Sequence, residues 1–357
     1  MSDEVILLAH GSGGKLSHDL VERLFLHHFD NPTLLQLDDS AVLPVPGSPD
    51  PRAMDRAQAQ PGQPVGLRLA LTTDSYVISP LFFPGGDIGK LAVCGTVNDL
   101  SMSGAHPLWL SAGFIIEEGL PLDDLERIVA SMACMAEQAG VQIVTGDTKV
   151  VDRGSADRLF INTAGVGVVA PGLEIRGDGV RPGDVVLLSG SIGDHGMTVM
   201  TQREGLEFDS PLTSDCAALN GLVSGLLEAV PAGAVHSLRD PTRGGLATAL
   251  NELATRSGVG IEISETAVPV RDAVRGSCEL LGIDPFYVAN EGKLVALVDG
   301  EAADAALAAL RAHPLGHEAN IIGKAAADHA GRVVLRTALG ARRVLDMLVG
   351  EQLPRIC

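Results

Sequence analysis

The chain has 357 residues, which exceeds the usual size of a single domain and predicts two. Apolar residues make up 46% and charged residues 20%, so the sequence can bury a core and lacks the composition of a disordered or fibrous protein. The 26 Lys and Arg against 45 Asp and Glu give a net charge of −19, which disfavours binding to nucleic acids and to anionic membranes.

Hydropathy and cysteine usage indicate a cytoplasmic protein. No stretch approaches the ~18 apolar residues of a membrane helix, and the N-terminus lacks the basic segment of a signal peptide. The five cysteines form no Cys-x-x-Cys pair and are odd in number, which supports neither a zinc site nor a disulfide framework. We expect Cys94, Cys134, Cys216 and Cys278 to be buried, and the final residue, Cys357, to be exposed and mobile.

Helices and strands alternate in the first half of the chain. Apolar residues from Ser17 onward fall on one helical stripe, and Asn31-Pro32 ends that predicted helix. Residues 46–64 have no periodicity and are interpreted as a surface insertion. The other predicted elements are strands at 67–73, 141–145 and 160–169 and a helix at 123–138.

The second half repeats this alternation after a boundary near residue 170. Strands are predicted at 185–189 and 293–298, and helices from Ser214, from Thr242 and at 302–312. Helices and strands are therefore mixed in both halves of the predicted fold. It divides into an N-terminal domain (1–170), a C-terminal domain (171–340) and a flexible tail (341–357).

Acidic residues recur in short polar segments interpreted as turns at the ends of apolar strands. Carboxylates placed there can converge on one crevice, where hard cations such as Mg²⁺ bind together with substrate phosphates. The alternative is that each Asp caps a turn or a helix. The segments are Asp38-Asp39-Ser40, Thr73-Asp74-Ser75, Asn98-Asp99, Gly146-Asp147-Thr148 and Asp240-Pro241-Thr242.

Glycine-rich segments at 10–15, 84–90 and 242–245 complement the acidic ones. Glycine lets backbone N–H groups approach phosphate oxygens closely. None of these segments matches the Walker pattern, and no Gly-x-Gly-x-x-Gly follows a clear first strand. A Walker-type ATPase and a Rossmann dehydrogenase both lose support.

The terminal segment Pro354-Arg355-Ile356-Cys357 carries a thiol. Exposed free thiols oxidise, so a retained one indicates a carrier or nucleophile. The alternative is a stray terminal cysteine.

Seven segments together resemble the HypE family of hydrogenase maturation factors, within the superfamily of aminoimidazole ribonucleotide synthetase and selenophosphate synthetase. The resemblance covers nearly the whole chain except residues 46–64. The segments are AHGSGG at 9–14, TDSYVI at 73–78, FFPGG at 82–86, TGDTKVV at 145–151, GDHG at 193–196, ANEG at 289–292 and PRIC at 354–357.

The resemblance implies a fold and a reaction. The fold is PurM-like (α+β and α/β), with an N-terminal α+β domain that forms a shared β-barrel across a homodimer and a C-terminal α/β sandwich. The terminal cysteine accepts a carbamoyl group from the carbamoyltransferase HypF, and ATP with Mg²⁺ drives its dehydration to a thiocyanate. The HypC–HypD complex then accepts the cyanide that becomes a ligand of nickel–iron hydrogenase. The tail is expected to swing between an outward and an inward position.

The resemblance also implies which residues bind metal and nucleotide. Lys149 lies two residues past Asp147, so both side chains would share one side of an extended segment, with the lysine stabilising the phosphoryl group. The implied metal ligands are Asp39, Asp74, Asp99, Asp147 and Asp240. The implied nucleotide-binding residues are Lys15, Asp39, Asp74, Asn98, Asp99, Asp147 and Thr148.

Three further residues complete the implied catalytic set with Cys357 and Lys149. Glu291 is the expected base for the activated amide nitrogen, with Asn290 and His195 orienting it. The alternative is that Glu291 is only a carboxylate in a turn and that His195 is only a hydrogen-bonded histidine in a loop.

Two rival functions stay open. A small-molecule synthetase of the same superfamily would phosphorylate a free substrate, and a non-enzymatic scaffold would bind metal without nucleotide turnover.

Overall fold

The computed structural model describes residues 5–29, 31–45, 66–206, 212–348, 353 and 356–357. The predicted insertion at 46–64 and residues 349–352 and 354–355 of the predicted tail lie outside these residues. Among the helices described, none is long and apolar enough to cross a membrane.

The first half of the chain forms a five-stranded sheet with the strand order β1-β2-β7-β5-β6. Strands β5 and β6 are parallel and the other neighbours are antiparallel. The elements are α1 (Lys15–Leu20), a π-helical segment (Val21–Leu26), α2 (His27–Phe29), β1 (Ala41–Pro44), β2 (Arg68–Tyr76), β3 (Phe82–Phe83), β4 (Gly86–Asp87), α3 (Ile88–Met102), β5 (Ala105–Glu117), α4 (Leu122–Ala139), β6 (Gln142–Val151) and β7 (Leu159–Val169).

One face of this sheet is buried beneath helices and the other is uncovered. Residues of β7 alternate between buried and less buried, as expected for a strand with one core-facing side. On the buried side, Leu110 and Ile161 pack with residues of α3 and α4. On the other side, Leu71, Trp109 and Ile115 are 45%, 47% and 43% exposed. An apolar sheet face without a cover typically marks an interaction surface.

The second half forms a seven-stranded sheet with the order β14-β13-β10-β12-β8-β11-β9. Alternate residues of β8 enter two cores: Leu188 packs with α7, whereas Leu187 packs with α6 and α9, so helices cover both faces. The elements are β8 (Val185–Leu188), α5 (Asp194–Arg203), α6 (Asn220–Ala229), β9 (Val235–Arg239), α7 (Gly245–Ser257), β10 (Gly260–Ser264), α8 (Asp272–Leu281), β11 (Val295–Val298), α9 (Ala303–Ala312), β12 (Asn320–Ala326), β13 (Val333–Arg336) and β14 (Arg342–Leu345).

This arrangement confirms the mixed fold and most of the predicted elements. The first sheet ends at Val169 and the second begins at Val185; the division at residue 170 itself stays a prediction. The helix expected from Ser214 begins instead at Asn220, because the Ser214 hydroxyl bonds the ring of His195 and does not cap a helix. Helix α3 was missed because it is buried almost all round and shows no amphipathic period.

Two further expectations need correction. Cys94, Cys216 and Cys278 are buried, but Cys134 is exposed, because it lies on the outward side of α4. The first helix forms where predicted, yet Phe29 of its apolar stripe is 60% exposed.

Candidate active site

A cleft of about 390 Å³ lies where the two halves of the chain meet. Strand β2 and helix α3 form one wall, and the segment after β9 with the start of α7 forms the other. The glycine-rich segments 10–15 and 242–245 both contribute lining residues, as the sequence predicted. Segment 84–90 does not line this cleft; Asp87 caps α3 by accepting hydrogen bonds from the amides of Gly89 and Lys90.

Three carboxylates converge in the cleft. Asp39 precedes β1, Asp99 lies in α3 and Asp240 follows β9, and each offers one oxygen within 4.8 Å of the other two. Asp99 Oδ2 accepts a hydrogen bond of 2.8 Å from the Thr72 hydroxyl. Asp74, on β2, lines the same cleft, so the structure brings four of the five predicted metal ligands together.

Burial raises the pKa of all three converging carboxyls. The pKa of Asp240 rises to about 6, first because of burial and also because of the charge of Asp74, whereas Arg239 acts in the opposite direction. For Asp99, burial and then the charges of Asp74 and Asp240 raise the pKa. Among the described residues, Asp240 Oδ2 is buried without a hydrogen-bond partner. Such a cluster gains stability from a cation.

Arg239 supplies part of that positive charge. Its Nη1 lies 2.5 Å from Asp39 Oδ1, and its Nη2 contacts Glu252 Oε2. One guanidinium therefore forms ion pairs with two carboxylates. Asp99 and Asp240 have no ion pair among the described residues. Arg239 was not predicted as a site residue, although its position next to Asp240 was a usable signal.

Glu291 points into the same cleft from the loop before β11. It is 3% exposed, and its Oε1 has no hydrogen-bond partner among the described residues. Burial, followed by the nearby Cys216 thiol and Asp240, raises the pKa of the Glu291 carboxyl well above its usual range. The main chain of Glu291 is fixed, because its amide donates to Asp215 Oδ1 and its carbonyl accepts from the Asn98 side chain.

The terminal thiol is in the cleft, so the expectation that it would be exposed is wrong for this structure. Cys357 is half-buried and lines the cleft beside Glu291 and Asp74. The preceding Ile356 is 4% exposed and packs into the core of the first half. The amide of Val77 donates to a main-chain oxygen of Cys357 over 3.3 Å.

The charge environment of the thiol is mixed. Burial raises the pKa of Cys357 to about 12; Glu291 and Asp74 add to this effect, and Arg243 opposes it. Arg243 is exposed along the cleft and forms no ion pair or hydrogen bond through its guanidinium with the rest of the described chain. The sequence drew attention to its glycine-rich segment but not to Arg243 itself.

Asn290 and His195 lie close by, but neither bonds the Glu291 side chain. Asn290 Oδ1 accepts from the amide of Gly193, and its Nδ2 donates to the carbonyls of Pro241 and Val288. It therefore ties three loops around the cleft. The ring nitrogens of His195 contact the Ser214 hydroxyl and the Ile356 carbonyl oxygen.

Three predicted residues lie on β6, away from the cleft. Asp147, Thr148 and Lys149 are exposed within the strand, and Lys149 Nζ is 2.9 Å from Asp147 Oδ2. In the strand register Asp147 lies opposite Gly113, and Gly113 lies opposite Asn162. The side chains in this row across the sheet project from its uncovered face. Asp74 belongs to the buried row, so the two aspartates project from opposite faces.

The turns predicted around three aspartates are not turns. Asp74 lies within β2, Asp99 within α3 and Asp147 within β6, because strand pairing and helix packing continue past each polar residue. Of the remaining predictions, Asn98 is buried and donates to the carbonyls of Ala217 and Glu291, so it supports the loop instead of facing the cleft. Lys15 is exposed and does not line the cleft.

Family models match both halves of the chain. The model of the AIR synthase related protein N-terminal domain matches residues 38–169, and that of the C-terminal domain matches residues 181–336. The two-domain fold with its acidic cleft is thus that of the AIR synthase related class.

Relatives with higher sequence identity show which family within this class the chain belongs to. Carbamoyl dehydratase HypE of Azotobacter vinelandii is 55% identical over 350 residues, which cover 98% of this chain and 96% of that protein. A crystal structure of hydrogenase maturation protein HypE in complex with ATP is 53% identical, with a TM-score of 0.78, 99% of this chain covered and 100% of that one. A HypE–HypF complex matches with 48% identity and a TM-score of 0.82, over 92% of this chain and 99% of that one. The chain belongs to the HypE family of carbamoyl dehydratases.

Proposed function

We propose that this chain uses ATP to dehydrate a carbamoyl group carried on Sγ of Cys357, and that the resulting thiocyanate supplies cyanide to nickel–iron hydrogenase. The observation that carries the proposal is the position of Cys357, which shares one cleft with the converging aspartates and with Glu291. A protein whose substrate is its own thiol needs that thiol beside its phosphoryl-transfer site.

The donor set fits Mg²⁺. Three carboxylates lie within 4.8 Å of one another, and one buried carboxylate oxygen has no partner among the described residues. Asp39, Asp99 and Asp240 would hold the ion, with Asp74 beside them. Mg²⁺ would neutralise negative charge on the phosphates of bound ATP.

The reaction transfers the γ-phosphoryl group of ATP to the amide oxygen, which releases ADP. The nitrogen then loses two protons, the carbon–oxygen bond breaks, phosphate leaves and a carbon–nitrogen triple bond forms. Glu291 takes a proton from that nitrogen, because it is a carboxylate that lines the cleft with Cys357 and has an oxygen without a hydrogen-bond partner in the described part of the chain. Its raised pKa makes the ionised carboxylate a stronger proton acceptor.

A homodimer would complete the site. Lys149 and Asp147 lie three strands from Asp74, about 14 Å across the sheet, and on its other face. They therefore cannot act in the cleft of their own protomer. The uncovered face carries Leu71, Trp109 and Ile115, and a second copy packed against it would bury them.

Exchange with partner proteins requires the thiol to leave the cleft. We propose that HypF loads Cys357 in an outward position and that a HypC–HypD complex collects the cyanide there. The similarity to a HypE–HypF complex supports the first partner. Nucleic acid and membrane partners are not proposed, and a cytoplasmic location stays a prediction from the sequence.

Phosphate release tests this function against its rivals. The wild-type protein should release phosphate from ATP in proportion to the carbamoyl groups loaded on it by HypF. Cys357→Ala should abolish that dependence while leaving the fold intact. A small-molecule synthetase would be insensitive to the substitution, and a metal-binding scaffold would release no phosphate.

A further inference from the structure

The tail is seated in a pocket formed by several unrelated segments. Ile356 is 4% exposed in the core of the first half, and Leu353 contacts both that core and a small cluster around Met197 and Val274. A Cβ added at Gly196 would lie 3.3 Å from Leu353 Cδ1 and 2.5 Å from Val288 Cγ1. Glycine at this position therefore leaves room for the tail.

His195 makes one of the polar contacts to the tail. Its ring is fully buried, and Nε2 lies 2.9 Å from the Ile356 carbonyl oxygen. Because a carbonyl can only accept, Nε2 carries the proton and donates. Burial lowers the pKa of His195 and so favours the neutral ring, in which Nδ1 is an acceptor. Nδ1 lies 2.8 Å from the Ser214 hydroxyl, which donates to it.

Two other segments fix the ring and its partner. The ring of Phe83 meets that of His195 edge-on, with centroids 5.4 Å apart. The Ser214 amide donates to the Pro84 carbonyl over 2.9 Å, and the Cys216 amide donates to the Ser214 oxygen over 3.1 Å. Gly85, at φ +93°, would place a Cβ 2.8 Å from the Ser214 carbonyl oxygen. The loop at 83–86 thus supports Ser214, and Ser214 selects the ring tautomer.

We propose that His195 is a positioning residue that latches the tail: its Nε2–H, bonded to the Ile356 carbonyl, holds the Cys357 thiol in the cleft until the tail leaves for loading. The carrier role of Cys357 rests on the proposed function; the latch itself rests on the packing and hydrogen bonds alone. It also gives a physical reason for two segments of the chain that line no part of the acidic cleft, FFPGG at 82–86 and GDHG at 193–196.

Alkylation of the full-length, ligand-free protein by iodoacetamide measures the latch without any enzymatic activity. Labelling of Cys357 is followed over time by peptide mass spectrometry. Cys134 is exposed in the same molecule and serves as the internal control. His195→Phe keeps an aromatic ring against Phe83 but removes the donor, and His195→Gln retains a donor.

In the Phe variant we expect Cys357 to be labelled about three- to tenfold faster than in the wild type, because one hydrogen bond to the docked tail is lost. The Gln variant should stay within about twofold of the wild type, and Cys134 should react equally in all three. Equal labelling of Cys357 in the Phe variant and the wild type would overturn the latch. So would equal acceleration in the Phe and Gln variants, because packing and not the hydrogen bond would then hold the tail.

Ser214→Ala provides a second variant should His195→Phe not fold. It removes the donor to Nδ1 and should accelerate Cys357 labelling, whereas an unchanged rate would count against the latch. The outcome is separable from the function. If the latch variants behave as expected but Cys357 never accepts a carbamoyl group, the latch stands and the proposed function falls.

Discussion

The amide of Val77, directly after β2, donates a hydrogen bond of 3.3 Å to a main-chain oxygen of Cys357. The last residue of the sequence is thus joined to the strand that carries Asp74, a lining residue of the acidic cleft. The thiol and the carboxylates are brought together by main-chain bonding and by burial of Ile356. This relationship allows the tail to act as a substrate.

Replacing Glu291 should stop dehydration but leave the binding of ATP unchanged. Glu291→Gln keeps the size of the side chain but removes the proton acceptor, so we expect the thiocyanate-forming rate to fall roughly 10²- to 10⁴-fold. The carbamoylated protein should accumulate, as followed by intact mass. Glu318→Gln, on the surface near Arg271, is the control and should retain the wild-type rate. Normal thiocyanate formation by Glu291→Gln would remove this residue from the mechanism.

The raised pKa of Glu291 predicts the pH dependence of dehydration. Since the carboxyl must be ionised to act as a base, the acidic limb of the rate profile should lie above the ordinary range of a carboxyl group. The dehydration rate measured at low ATP concentration reports the pKa in the enzyme before ATP binds. An acidic limb at the usual pKa of a carboxyl group in that profile would contradict this prediction.

Asp240 should make the ion-free protein less stable as pH rises. Its pKa is about 6 in the folded state and 3.8 ordinarily, so between these values the folded state binds more protons than the unfolded state. Its contribution is complete below the lower value and is lost as pH rises through the upper one.

The matching variant is Asp240→Asn, which cannot titrate. Relative to the wild type, its free energy of unfolding in EDTA should improve by roughly 1 to 3 kcal/mol between about pH 4 and pH 7. Mn²⁺ should raise the melting temperature of the wild type more than that of the variant. A Mn²⁺ shift equal in both proteins would argue against a metal site at Asp240.

The activity of mixed dimers should show whether Lys149 and Glu291 of one cleft come from the same protomer or from different protomers. Lys149→Ala and Glu291→Gln homodimers should each be inactive. If Lys149 acts in the cleft of its partner, a mixed dimer carries one intact site and should show about half of the wild-type activity. The dehydration rate of co-expressed, doubly tagged dimers measures this. A mixed dimer as inactive as either homodimer would mean that both residues serve the same protomer's cleft.

The sequence predicted the chemistry of the cleft better than its local structure. Asp39, Asp99 and Asp240 converge and Asp74 lines the same cleft, yet Asp74 and Asp99 belong to a strand and a helix and not to turns. Their polar neighbours indicate turns by local propensity, but pairing of β2 with β7 and burial of α3 override that propensity.

Long-range packing explains the residues that the sequence placed wrongly or missed. Docking of the tail depends on space at Gly196 and on the ring of His195, two features separated from Cys357 by more than half of the second domain. The sheet face on which Lys149 projects depends on strand register, which a single sequence does not determine.

The most direct measurement of the central claim is the mass of the C-terminal peptide. The protein is incubated with HypF, carbamoyl phosphate and ATP, and then digested under conditions that preserve the S-carbamoyl group and the thiocyanate. We expect the peptide ending at Cys357 first to gain one carbamoyl group and then to lose one water, with the other four cysteines unmodified. Thiocyanate production with no adduct on Cys357, or with an adduct on another cysteine, would contradict the account.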